Sequence, residues 1–211
     1  MPGIQETLRF SWDTLKKNPW TIIGAGAIAL IVSGVLNGLL TELFPTKGGE
    51  ATELSKTINF FVSLVFGIII EMGLVTFMLR AAREPEAVTL HALWNPQPFF
   101  AYLVAQIAVA VTVLLGFVLL IVPGVIAALA FMFTPYLIID KGLKPFEAMK
   151  ESMRITKGHR VNLFLLMCTV VILNILGLIV LFVGLLVTLP LSMIAVAHVY
   201  RALESSPTLT A

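Results

Sequence analysis

Residues 98–139 contain no Asp, Glu, Lys or Arg. One helical crossing of a bilayer takes about 20 apolar residues, so this block is too long for one pass and about right for two. Residues 161–200 form a second block of the same kind, while residues 20–40 and 58–79 each suit a single crossing. In hydrocarbon every backbone N–H and C=O must be satisfied within the protein, which makes helices the natural element. The expectation is an all-α integral membrane protein. Its six transmembrane helices would form three helical hairpins, each preceded by a short cytoplasmic amphipathic helix.

Composition excludes a soluble domain. Only 12% of the 211 residues are charged and the mean hydropathy is +0.98, against about 25% charged residues in soluble domains. Cys168 is the single cysteine, so no internal disulfide framework is available. The start of the chain does not read as a cleaved signal peptide. Its first apolar block begins only near Trp20, follows a segment with both charge signs, and is long enough to span.

The longest polar run, residues 140–160, lies between the two long apolar blocks and holds Lys141, Lys144, Lys150, Arg154, Lys157 and Arg160. Pro145 fits the first turn of a helix and Gly158 the position just past its end. Phe146, Met149 and Met153 recur at helical spacing between them. So basic an amphipathic helix, tethered to apolar segments on both sides, is expected on an anionic membrane surface, its six cations meeting lipid headgroups. Residues 3–17 read as a second interfacial helix, with Ile4, Leu8, Trp12 and Leu15 on one face and Glu6, Arg9, Asp13, Lys16 and Lys17 on the other.

Between these landmarks the connections are short. Residues 41–57 read as a polar loop, made irregular by Pro45 and Gly48-Gly49. Residues 84–97 form a link in which Thr89 would cap a short helix through Leu90 and Leu93 to Trp94. The first long block turns somewhere within 116–124, as a tight hairpin with Pro123 kinking the returning helix near its start. The second turns within 176–185, and residues 205–211 read as a loose polar tail. In the first crossing Gly34 and Gly38 make a GxxxG step, read first as internal packing, with a homo-oligomer contact as the alternative.

Twelve of the fourteen Lys and Arg residues fall on one side of this layout, leaving Lys47 and Lys56 on the other. The positive-inside rule then puts both termini in the cytoplasm. The layout also repeats as units of about 1–80, 81–140 and 141–204 within one domain, 1–204. Ser11-Trp12-Asp13-Thr14-Leu15-Lys16 lines up with Ser152-Met153-Arg154-Ile155-Thr156-Lys157, and Leu115-Gly116 with Pro123 lines up loosely with Leu176-Gly177 and Pro190. The plain alternative is that any protein with short outer loops and an even number of spans looks like this.

Glu71 is the one ionisable residue inside the second crossing. Nine residues before Arg80, it lies roughly 13 Å inside the boundary at 1.5 Å per residue. A carboxylate at that depth is paired, protonated or hydrated. Gln106, Thr169 and Ser192 reach about the same level. Glu71 could line a polar cavity that binds a proton, cation or headgroup, or it could be neutral and bonded to Gln106 or Ser192 as packing glue. Asn37, Gln106 and Asn174 read as interhelical hydrogen-bond partners. His91, His159 and His198 are scattered, with no CxxC, HExxH or carboxylate cluster, so neither a metal nor another cofactor is expected. No nucleophile elbow, P-loop or dinucleotide fingerprint is present, so no catalytic residue is named. The basic run is short and amphipathic, which favours lipid over nucleic acid.

Ile121-Val122-Pro123-Gly124, Pro135-Tyr136, Asp140, Ala148 with Ser152, Lys157-Gly158 and the closing Tyr200-Arg201 carry a resemblance, as does the opening LRFSWDTLKKNPW. The chain resembles, over nearly its whole length, the prokaryotic membrane domain found beside some glycerophosphoryl diester phosphodiesterases, and its stand-alone six-span relatives. The resemblance implies a six-helix bundle in a bacterial or archaeal plasma membrane. It brings no catalytic residues, and the phosphodiesterase domain is absent. The expected function is therefore non-enzymatic: a lipid-interacting or scaffolding component of the plasma membrane, with membrane lipids and another membrane or lipid-metabolism protein as partners. The alternative is a small transporter or channel whose polar pathway includes Glu71, Gln106, Ser192 and Asn174.

Overall fold

The structure is a computed structural model describing residues 1–43, 53–93, 98–179 and 184–205. Every element among these residues is helical: α1 (Ile4–Lys17), α2 (Pro19–Leu43), α3 (Glu53–Arg83), a 3-10 turn (Leu90–Leu93), α4 (Phe99–Leu119), α5 (Ile121–Phe131), α6 (Thr134–Lys141), α7 (Pro145–Thr156), α8 (Arg160–Ile179) and α9 (Leu185–Glu204). Six stretches are long and apolar enough to cross a membrane: α2, α3, α4, α5 with α6 as Ile121–Lys141, α8 and α9. Trp94, Lys47, residues 180–183 of the second turn and residues 206–211 of the tail lie outside the described residues.

The six long helices divide into two sets. In α3, α5–α6 and α9, 44–50% of the most apolar stretch is buried, against 11–22% in α2, α4 and α8. The first set packs together as an inner trio. Met72, Val75 and Leu79 of α3, Leu137 and Ile138 of α6, and Val199 and Tyr200 of α9 share one core. Phe133, Tyr136 and Tyr200 fill the space where α6 meets α9, with ring centroids 5.5–6.0 Å apart. The other three helices turn Leu, Ile, Val and Phe side chains outward, as expected where lipid tails are as apolar as the protein.

The N-terminal helix α1, the 3-10 turn, α7 and the ends of α3, α6 and α9 gather at one end, the basic end. Each of these surface segments rests on an inner helix: the 3-10 turn on α3 and α7 on α5 and α6, which precede them in the chain, with α4 also against α7, and α1 on α9 from the far end of the chain. Small residues make the close approaches. A Cβ on Gly73 would stand 2.2 Å from the Leu93 carbonyl oxygen, so only glycine lets the 3-10 turn sit on α3. α1 buries Thr7, Ser11 and Thr14 with Leu15, and α7 buries Ala148, Ser152, Ile155 and Thr156 with Met149. The register of the two helices matches as well: Glu6 accepts from the Gly3 N–H and Glu147 from the Lys144 N–H, both at 3.4 Å.

The first long block turns at Leu120, inside the expected interval, with Gly116 and Gly124 in contact across it. The expected kink at Pro123 is not found. Pro123 is the third residue of α5, where a missing N–H leaves no hydrogen bond unmade. The break comes at Met132 and Phe133, before Pro135 in the first turn of α6. α7 closes it. Ser152 Oγ accepts from the Phe133 N–H at 3.2 Å and donates to the Ala130 carbonyl at 2.7 Å. One hydroxyl thus satisfies a donor and an acceptor that the interrupted helix leaves behind.

Two further expectations are corrected. The loop 41–57 is shorter at both ends, because α2 continues to Leu43 and α3 starts at Glu53. Its polar residues bond back to the helices: Thr41 to the Asn37 carbonyl, Thr57 to the Glu53 carbonyl, and Lys56 to Glu53. The Gly34–Gly38 step does not serve internal packing. A Cβ on either glycine would meet nothing within 4 Å, and both face outward.

Candidate functional site

Glu71 on α3 meets Gln106 on α4. Gln106 Nε2 donates to both carboxylate oxygens, at 3.0 and 3.1 Å. Both residues are half-buried. The hydroxyl of fully buried Tyr102, one turn before Gln106, approaches the same carboxylate outside good hydrogen-bond geometry. Ser192 takes no part. It donates to the Thr188 carbonyl at 2.7 Å and accepts from Asn174 Nδ2 at 3.0 Å, tying α8 to α9. The four polar positions expected to share a pathway are therefore two separate pairs. Among the described residues Asn37 bonds within its own helix, its amide donating to the Ser33 carbonyl at 2.8 Å. Thr169 likewise bonds to Leu165 within α8.

At the basic end the three inner helices are tied in a ring. Asp140 at the end of α6 pairs through Oδ1 with Arg83 at the end of α3, and its Oδ2 accepts from Tyr200 of α9 at 3.0 Å. Lys141 of α6 pairs with Glu204 of α9 at 2.8 Å. Arg201 of α9 donates to the Ala82 carbonyl of α3 at 2.6 Å. None of Arg83, Asp140, Tyr200 and Glu204 was singled out as a site residue from the sequence. The available signal was position: each closes or follows an apolar block.

The six cations of the 140–160 run are thus not equivalent. Lys141 belongs to the ring, and Arg154 holds Glu151 by a bond from Nε at 2.7 Å and a second from Nη2. The Arg154 hydrogen bond keeps the Glu151 carboxyl below its usual range. Arg160 is half-buried, with Nε enclosed and unpaired. Lys144, Lys150 and Lys157 remain exposed. Phe146, Lys150 and Met153 of α7, with Lys157 just past its end, form one exposed stripe, because steps of four, three and four residues stay on one helix face. On α1, the stripe Gln5, Arg9, Trp12 and Lys16 has the same spacing and is also exposed, with Lys16 Nζ 5.2 Å from the centre of the Trp12 ring. Trp12 therefore faces outward with the cations, not inward with Leu15. Close packing on α9 rotates Thr7, Ser11 and Thr14 to the centre of the buried side, since small residues let helices approach.

Three cavities are described. Two flank Arg83 at the basic end: one of about 340 Å³ with Arg80, Glu84 and Thr89, the other of about 350 Å³ with Phe10, His198, Arg201 and Glu204. The third, about 230 Å³, is an apolar groove between α2, α3 and α9, with Gly26 against Pro190. Glu71 lines none of the three. Among the described residues no group of three His, Cys, Asp or Glu side chains is placed to hold a metal ion.

No family model matches the chain. It is similar to the uncharacterised protein Rv2560 of Mycobacterium tuberculosis (strain ATCC 25618 / H37Rv), at 24% identity over 227 aligned positions that cover 96% of this chain and 69% of that protein. The uncharacterised protein Mb2590 of Mycobacterium bovis (strain ATCC BAA-935 / AF2122/97) matches with the same identity and coverage. No solved structure matches. What the chain shares with these relatives therefore carries no assigned activity.

Proposed function

We propose that the chain is a non-enzymatic, lipid-interacting or scaffolding protein of a prokaryotic plasma membrane. Its six crossings run as three hairpins, its termini and surface helices lie in the cytoplasm, and its kind is the stand-alone membrane domain that the sequence resembles. The observation that carries this is the two-sided build of α7. One side seats in protein through Ala148, Ser152 and Ile155, and the other leaves Phe146, Lys150 and Met153 exposed, together with the capping residue Lys157. Apolar side chains alternating with lysines suit the headgroup layer, where the apolar parts sink and the ammonium groups snorkel. The matching stripe on α1 supports the same placement. The partners are anionic lipids and, alongside them, another membrane or lipid-metabolism protein.

A transport pathway through Glu71 has less support, because that carboxylate is bonded to Gln106 and the inner trio is packed with aromatic side chains. The test is native mass spectrometry of the purified protein with phosphatidylglycerol and phosphatidylcholine, together with ion flux into proteoliposomes. The wild type should retain phosphatidylglycerol preferentially, and Lys150→Gln/Lys157→Gln should weaken that preference. Flux that Glu71→Gln abolishes, without any lipid preference, would overturn the reading.

A further inference from the structure

We infer that the recess between α1, α3 and α9 is a binding site for a phosphate group, carried by an anionic lipid headgroup or by a soluble phosphate. The recess measures about 350 Å³ and is lined by Arg83, Arg201, His198, Glu204 and Phe10. Its two guanidiniums come from different helices, and each is held by a partner outside the lining. Asp140 fixes Arg83 through Nη2, and the Ala82 carbonyl fixes Arg201 through Nη1 at 2.6 Å. A guanidinium has five N–H donors, so each keeps others to present. The one carboxylate in the lining, Glu204, is matched by Lys141 at 2.8 Å. Asp140, which partly offsets Arg83, has both oxygens engaged, one by Arg83 and one by Tyr200.

The lining itself thus sets two guanidiniums against one carboxylate already matched by Lys141, with Glu6 of α1 the further acidic group that acts on His198, and two guanidiniums suit the several oxygens of a phosphate. The His198 ring stacks on Phe10 at 3.9 Å and forms a rigid wall. This site is distinct from the exposed lysine stripe of α7. The inference deepens the proposed lipid role and rests on it for the lipid source alone.

The experiment compares the wild type, Arg201→Gln, Arg80→Gln and Lys150→Gln/Lys157→Gln as full-length protein. Retained phosphatidylglycerol is counted by native mass spectrometry, and inorganic phosphate binding is measured by calorimetry. Arg201→Gln should lower the affinity for one of the two probes by about tenfold, the scale of one charge-assisted hydrogen bond. Arg80→Gln removes the same charge from outside the recess and should change it by less than about twofold. If Arg201→Gln does not fold, Arg201→Lys should show a smaller loss of the same kind. Loss for phosphatidylglycerol names a lipid headgroup, and loss for phosphate alone names a soluble ligand. Equal losses in Arg201→Gln and Arg80→Gln, or binding of neither probe, would overturn the site. Lipid loss confined to the Lys150/Lys157 variant would sink the recess and leave the general lipid role standing.

Discussion

Tyr200 Oη donates to Oδ2 of Asp140 at 3.0 Å, while the other oxygen of that carboxylate holds Arg83. One side chain at the end of α6 thereby joins all three inner helices. Side chains that are nearly as apolar as the surrounding lipid give little reason for helices to associate, so polar ties and close packing matter more. Tyr200→Phe keeps the ring and removes only the donor. It should lower stability by about 1–2 kcal/mol, read as a lower melting temperature in detergent. An unchanged melting temperature would mean that the bond adds nothing.

Ser152 and Ser11 occupy matching places on α7 and α1, and both are fully buried. Their partners differ. Ser152 serves the Phe133 N–H and the Ala130 carbonyl of another element, whereas Ser11 donates to the Thr7 carbonyl of its own helix at 2.8 Å. Ser152→Ala should cost about 2 kcal/mol, because it strands the buried Phe133 N–H and leaves the Ala130 carbonyl only the Thr156 hydroxyl at 3.4 Å. Ser11→Ala should cost less than about 0.5 kcal/mol, because the Thr7 carbonyl keeps its helical partner. Chemical denaturation of the two variants side by side checks the difference, and equal losses would contradict it.

Gly73→Ala places a Cβ against the Leu93 carbonyl, a backbone atom with no rotamer to escape into. The 3-10 turn must lift from α3, at a cost of about 1–3 kcal/mol. Limited proteolysis should then cut the 84–93 segment faster than in wild type. Gly34→Ala, which meets nothing within 4 Å, is the matched control and should be neutral in the monomer.

Gln106→Leu would leave the Glu71 carboxylate without its amide partner, while Glu71→Gln keeps a hydrogen-bonding group at that depth. Gln106→Leu should therefore destabilise by about 1–3 kcal/mol and Glu71→Gln by less than about 1 kcal/mol. The reverse order in thermal melts would show that the carboxylate depends on some other partner.

The sequence was most readable where one physical rule acts alone. Apolar length set the six long helices, and equal depth offered Gln106 and Ser192 as partners for Glu71, of which Gln106 is the one it meets. It was least readable where the outcome depends on a helix start or on which helices are neighbours. Pro123 and Pro135 look alike in a string. One lies in the first turn of α5 and is harmless, and the other follows the break that Ser152 repairs. Depth counting puts Arg83, Asp140 and Arg201 at one level, but only the inner trio tells which of them touch. In α1 the spacing put Trp12 and Leu15 on one face, whereas packing on α9 buries Leu15 with the small polar side and leaves Trp12 exposed. Gly34 and Gly38 carry a packing motif on a face that nothing among the described residues covers.

The most direct test of the account is the sidedness of its charges. Cys168 would be replaced by Ser, single cysteines introduced by Lys16→Cys, Lys47→Cys and Lys150→Cys, and each labelled in intact cells with a membrane-impermeant maleimide. The account predicts labelling of the Lys47→Cys protein from outside, and of the Lys16→Cys and Lys150→Cys proteins only after the membrane is opened. Labelling of the Lys47→Cys and Lys150→Cys proteins from the same side would contradict it.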